Sequence, residues 1–163
     1  MSLVRVVLYT EAHRISGAIS LRERLNEALN DRLTDYLELN DVRISKLVDP
    51  TRAEVAWPTT VIPKNEIKVA TLDTVTHESE TSRIDKVTRK KGTELGCIIG
   101  TIELYGTGHL NFQSTAQEVL LNQLPPFFPV THATLLFPAA TDSRVDTQLA
   151  FANREAIRAF SLL

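Results

Sequence analysis

The 163-residue chain holds a single cysteine, Cys97, and that scarcity removes two classes of protein at once. No second thiol exists for an intrachain disulfide, and no thiolate pair exists for a metal site. Histidine is nearly as scarce: His13, His77, His109 and His132 are the full supply, and no two stand three to five residues apart, the spacing that brings two ligands to one metal. Aromatic residues make up only 6%, which leaves few rings on which bases could stack. A basic excess is also missing, since the net charge is -2, whereas proteins that hold nucleic acid through its phosphates concentrate positive charge. No apolar run approaches the ~18 residues that span a bilayer, and the N-terminus shows no basic region followed by an apolar stretch. The expectation is a cytoplasmic protein with no membrane association, no cofactor, no metal and no bound nucleic acid.

What the chain does contain is an echo of itself. Ile15-Ser16-Gly17-Ala18-Ile19-Ser20-Leu21 resembles Ile98-Ile99-Gly100-Thr101-Ile102-Glu103-Leu104. Further on, Asn26-Glu27-Ala28-Leu29 is answered by Gln117-Glu118-Val119-Leu120, and Val61-Ile62-Pro63-Lys64-Asn65-Glu66-Ile67 by Phe151-Ala152-Asn153-Arg154-Glu155-Ala156-Ile157. Matches that keep their order indicate a duplicated unit. The division is a first unit over 1–72, a linker over 73–83 and a second unit over 84–163. In this alignment Gly17 and Gly100 are counterparts in the second strand of each unit, and Tyr105 to Phe112 is an inserted loop. A unit of that size alone buries only ~60% of the surface its unfolded chain exposes, so two units sharing a core are favoured over two independent ones. Leu29 and Leu120 are then expected to pack inward as equivalents.

Local patterns give the fold class. Val4 to Tyr9 is rich in β-branched residues, and Ile15, Gly17, Ile19 and Leu21 alternate with small polar residues at the period of a half-buried strand. Leu25, Ala28, Leu29 and Leu33 change to helical spacing, with Ser20 and Glu23 as a capping pair. Strands follow around Leu37 to Ile44, Val55 to Ile62 and Ile67 to Leu72, with Asp49-Pro50-Thr51 as a turn. The second unit repeats the order strand, strand, short helix, strand, strand, strand, with Thr115 and Glu118 capping its helix. Five short strands and one helix are too few for a sandwich and too poor in helix for βαβ units. The fold expected is mainly β with short helices: two tandem, pseudo-symmetric bent-sheet or barrel units.

His13-Arg14-Ile15-Ser16-Gly17-Ala18-Ile19, Leu37-Glu38-Leu39-Asn40-Asp41-Val42 and Val61-Ile62-Pro63-Lys64-Asn65-Glu66-Ile67 resemble a family of uncharacterised bacterial domains, present here as a tandem duplication. That family implies no assigned activity, cofactor or site. More distantly, a glycine inside the second strand and a polar turn before the closing strand are similar to Sm-like small barrels, although the helix here follows the second strand.

Candidate residues are few. Arg83, Lys86, Arg89, Lys90 and Lys91 form the one basic cluster, which reads as a solvated strand edge or a surface for an acidic partner. Cys97 reads as a small buried hydrophobe. Gly106-Thr107-Gly108 has the glycines of a phosphate loop, yet neither Gly-Lys-Ser/Thr nor a third glycine follows, so a plain surface loop is preferred. Trp57 and Pro125-Pro126-Phe127-Phe128-Pro129 are recognition candidates if exposed, though core is the commoner fate of aromatics. No residue is assigned a catalytic, cofactor-binding or metal role. The leading function is a non-enzymatic scaffold or protein-binding module that self-assembles through its strand edges or takes a protein partner. The alternatives are a small-barrel RNA or nucleotide binder, and an enzyme with a site between the halves where Asp41 and its counterpart His132 face one another.

Overall fold

A computed structural model describes residues 2–48, 54–72, 91–110, 114–140 and 143–163. The expected linker, Arg83, Lys86, Arg89, Lys90, His77 and the Asp49-Pro50-Thr51 turn lie outside the described residues. The chain is mainly β, as its two-residue periods require, and among the described residues ten strands form one open antiparallel sheet. Strands β1 (Ser2–Tyr9), β2 (His13–Leu21), β3 (Tyr36–Lys46) and β4 (Val55–Pro63) form a meander, with helix α1 (Leu25–Asn30) in the connection from β2 to β3. β5 (Val69–Leu72) returns to the free side of β1.

The same order then follows in β6 (Lys91–Ile99), β7 (Ile102–Leu110), α2 (Ala116–Glu118, continued by a π turn over Val119–Gln123), β8 (Phe127–Leu136) and β9 (Arg144–Asn153). β10 (Ile157–Leu162) returns to the free side of β6. β5 and β9 pair antiparallel and join the two meanders, so the sheet runs β10-β6-β7-β8-β9-β5-β1-β2-β3-β4. Among the described residues β4 and β10 are its two edges.

Two stretches differ from the sequence reading. Ile98 to Ile102 is not one strand: Gly100 adopts φ +57, and Gly100-Thr101 turn the chain so that Ile99 stands opposite Ile102. Apolar residues on both sides of a glycine have the period of a single strand, and only the left-handed backbone that glycine tolerates breaks it. Gly100 is therefore not the positional counterpart of Gly17, which lies within β2. The second difference concerns the described part, Tyr105 to Leu110, of the stretch to Phe112 expected as an inserted loop. It is strand, with Gly106, Thr107 and Gly108 opposite Leu95, Glu94 and Thr93, so it is neither a phosphate loop nor a surface loop. Its glycines answer to packing: a Cβ on Gly106 would stand 2.6 Å from Val130 Cγ1 and 2.9 Å from the Thr131 carbonyl oxygen.

The residue placed like Gly17 is Gly106. The register of β2 against β3 shifts at Gly17 and that of β7 against β8 at Gly106. On the facing strands Asp41 (φ 50) and His132 (φ 49) carry the left-handed backbone, the conformation in which a bulge residue is accommodated and for which Asp and His are enriched.

Buried apolar side chains gather in two clusters, each borrowing from the other half. The first takes Val6, Leu8, Leu25, Leu29, Leu39 and Ile67, together with Leu149 and Phe151 from β9. The second takes Leu95, Ile99, Leu104, Val119 and Phe128, together with Tyr9, Leu47 and Val69. The alternation of a strand accounts for the exchange: Leu149 and Phe151 leave one face of β9 for the first cluster, and Ala150 and Ala152 leave the other for the second. Leu29 is buried, whereas its expected equivalent Leu120 is half-buried at the margin of the second cluster and Val119 takes the interior place. The Thr115 cap forms, its hydroxyl accepting from Glu118 N–H at 3.2 Å while Thr115 N–H donates to the Glu118 carboxylate. Ser20 caps nothing, because β2 continues through it to Leu21. The first turn of α1 is closed instead by Arg24 N–H donating to Glu27 at 3.1 Å.

Candidate functional site

The seam between the meanders opens on one side into a cleft of about 500 Å³. The loop after α1 and the single 3-10 turns that follow β4 (Lys64–Glu66) and β9 (Arg154–Ala156) form its walls. Asn30 crosses it in the manner of a strand residue, its Nδ2 donating to the Phe127 carbonyl at 2.9 Å and its Oδ1 accepting from Phe127 N–H at 2.8 Å. Asn153 ties the seam from the other side, donating from its backbone N–H to the Lys68 carbonyl and from Nδ2 to the Ile67 carbonyl, each at 2.9 Å.

Lys64 is only 8% exposed. Its ammonium donates to the Asp31 carbonyl at 2.9 Å and to Thr34 Oγ1 at 3.2 Å. Burial pushes its pKa down, against the opposing pull of Asp31, Asp35 and Glu23. On the opposite wall stand Glu155 and Ala156; the preceding Arg154, outside the lining, donates from Nη1 to the Leu124 carbonyl at 2.7 Å and pairs with Glu155. Of the cations that line the cleft, Arg32, Lys64 and Lys68, Lys64 is thus engaged in holding a loop. Asp31, Asp35 and Glu155 line it as well, so an anion would enter beside carboxylates.

Other sequence candidates are scattered. Asp41 and His132 are exposed, and four strands of the sheet lie between β3 and β8, so the ladder does not bring them together. His109, expected in a loop, lies on β7 with Nε2 3.0 Å from Thr131 Oγ1. Cys97 is buried on β6, and desolvation raises its thiol pKa to about 12, which removes the thiolate needed for nucleophilic chemistry. Phe127 and Phe128 are core. Lys91 opens β6 opposite Leu110, so this member of the basic cluster sits in the sheet next to the outermost strand β10. Among the described residues no group of His, Cys, Asp and Glu is placed to hold a metal.

The most unusual surface is one that sequence patterning identified as strand without identifying its position. β4 is an edge of the described sheet, and its Val55, Trp57 and Val61 are 50%, 50% and 54% exposed, Val55 and Trp57 opposite Ile44 and Val42 and Val61 opposite Glu38. Thr60 Oγ1, on the same strand, is the one buried side-chain oxygen or nitrogen among the described residues that lacks a hydrogen-bond partner. Exposed apolar side chains on an edge strand are an arrangement that soluble proteins ordinarily blunt with charge or cover. Pro58 interrupts the strand between Trp57 and Val61 and Pro63 ends it, which leaves Thr59 to Ile62 as its longest proline-free run. The residue types were legible beforehand. That no described strand pairs beyond β4 depends on where the sheet ends.

No known family model matches the chain, and neither a curated protein nor a solved structure is significantly similar to it.

Proposed function

We propose that the chain is a non-enzymatic β scaffold, built from a duplicated unit, that works by pairing its open sheet edges with protein. The observation that carries this reading is the exposure of three apolar residues, Val55, Trp57 and Val61, on β4, an edge of the described sheet. Exposed strands recruit partners because their outward N–H and C=O groups accept another strand, while apolar side chains on that strand add area to bury. Duplication supports it: strand order 5-1-2-3-4 in the first meander is matched by 10-6-7-8-9 in the second, and the Gly17–Asp41 bulge by the Gly106–His132 bulge.

A nucleotide or RNA binder is the second reading, and the cleft at the seam with Lys64, Asn65 and Lys68 on one wall is what favours it. The two separate in solution. Light scattering on the eluted protein should show a mass that grows with concentration, and replacing Trp57 and Val61 by Lys should hold the chain at the monomer mass. A protein that is monomeric at every concentration, and whose melting temperature rises with a nucleotide or short RNA unless Lys68 is changed to Ala, would overturn the scaffold reading in favour of the second.

A further inference from the structure

The internal seam specifies how one open edge would be covered. β9 meets β5 with Val69 opposite Ala152, Ala70 opposite Phe151 and Thr71 opposite Ala150. β4 occupies in the first meander the place of β9 in the second, and β10 occupies the place of β5. Val61 stands 90 residues before Phe151, and Phe160 stands 90 residues after Ala70. We propose that β4 of one chain pairs antiparallel with β10 of a second copy in the register of the seam, Val61 opposite Phe160, Thr60 opposite Ser161 and Ile62 opposite Ala159. This rests on the scaffold reading and names its partner.

The backbone phase is right for it. Lys64 N–H donates to the Asp35 carbonyl at 2.8 Å, in line with the β3·β4 register, so Lys64 and Asp35 are a hydrogen-bonded pair. Antiparallel pairs alternate, which turns the C=O of Pro63 and the N–H and C=O of Val61 away from β3. On β9, Arg154 N–H donates to the Pro126 carbonyl at 2.9 Å, and alternation turns the N–H and C=O of Phe151 away from β8, toward β5. On β10, Leu163 N–H donates to the Glu94 carbonyl at 2.9 Å, and alternation leaves the backbone of Phe160 facing outward. Val61 and Phe160 therefore offer each other both of their bonds, as Phe151 and Ala70 do in the seam.

The side chains agree. At the seam Leu149 and Phe151 are fully buried, whereas at the edges Val61 is 54% exposed and Ile157, Phe160 and Leu162 lie half-buried at the rim of the second cluster. The proposed register also sets Ser161 across from Thr60, giving the unpartnered Thr60 hydroxyl a cross-strand hydroxyl. One bond of the seam has no equivalent, because Pro63 stands where Asn153 donates to Lys68. The seam itself uses three residue pairs, and Thr59 to Ile62 is long enough for three. Because unlike edges meet, each added chain presents a fresh edge until a ring closes.

Cross-linking reads the register directly. In a Cys97→Ser background, one protein carries Thr60→Cys and another Ser161→Cys, a pair predicted to be non-hydrogen-bonded with Cα atoms ~4.5 Å apart, within disulfide reach. Mild oxidation of the mixture should give a covalent dimer at least tenfold more abundant than either protein gives alone, and adding Val61→Pro to the Thr60→Cys protein should abolish it. In the unsubstituted protein, exchange of the Val61 and Phe160 amides should slow as concentration rises. Dimer from Thr60→Cys alone would mean that β4 meets β4, and association without the mixed product would mean another contact; either result overturns this pairing while leaving the scaffold reading standing. A chain that is monomeric at all concentrations, with neither amide protected, overturns both.

Discussion

Replacing Phe151 by Ala tests whether the two meanders fold as one. Phe151 belongs to β9 by sequence, yet its ring is fully buried in the first cluster among residues such as Leu8 and Leu39. Truncation removes a phenyl group from a site where neighbouring strands fix the cavity walls, and such losses run to ~3–5 kcal/mol. Against a total stability of roughly 5–15 kcal/mol, that is a large fraction. Local loosening of β9 would leave the first meander unaffected, but a shared unit must lose stability everywhere. The assay is denaturant titration followed by amide exchange, with β1–β2 reporting the first meander and β7–β8 the second. Protection in both regions should collapse at one denaturant concentration in the parent and at one lower concentration in the variant. The reasoning fails if protection in β1–β2 survives at the parental midpoint while that in β7–β8 is lost, or if the free-energy change falls below ~1 kcal/mol.

Two further outcomes check the packing. Gly106→Ala should destabilise by ~1–3 kcal/mol in thermal or denaturant melts, because the new methyl meets Val130 Cγ1 at 2.6 Å and the Thr131 carbonyl at 2.9 Å; a neutral result would refute the close approach of β7 and β8. Cys97 should resist a thiol reagent at neutral pH until the protein unfolds. Its folded pKa of about 12 lies above its ordinary 9.0, so its contribution is fully present below pH ~9 and is lost as the pH rises toward 12. Tyr9, also raised by burial, acts in the same direction. Cys97→Ala should make the decline in stability between pH 9 and 11 shallower, and an unchanged slope would count against the buried thiol.

The sequence by itself determined what is local. Two-residue alternation in Ile15 to Leu21 specified a strand because successive side chains on extended backbone must face opposite sides, and the β-branched run of Val4 to Tyr9 specified its neighbour. The Thr115 and Glu118 pair specified a helix start because both bonds close within four residues. Where glycine stood in an apolar run, the same reasoning went astray: Gly100 bends the chain, and Gly106 and Gly108 continue a strand. The distinction lies in Val130, Thr131 and Leu95, which approach from other strands.

Tertiary structure decided the rest. Whether Leu149 to Ala152 is an edge or a seam cannot be read from its residues, since apolar side chains on both faces need only something to cover them. β5, whose closest paired residue is roughly eighty positions earlier in the chain, supplies that cover. Val55 to Ile62 has comparable strand character, but the sheet ends there, leaving Val61 in solvent and the Thr60 hydroxyl unpartnered. Pairing of distant strands depends on closing long loops and matching faces across the whole sheet. For that reason the edge, on which the proposed function depends, became visible only in the fold.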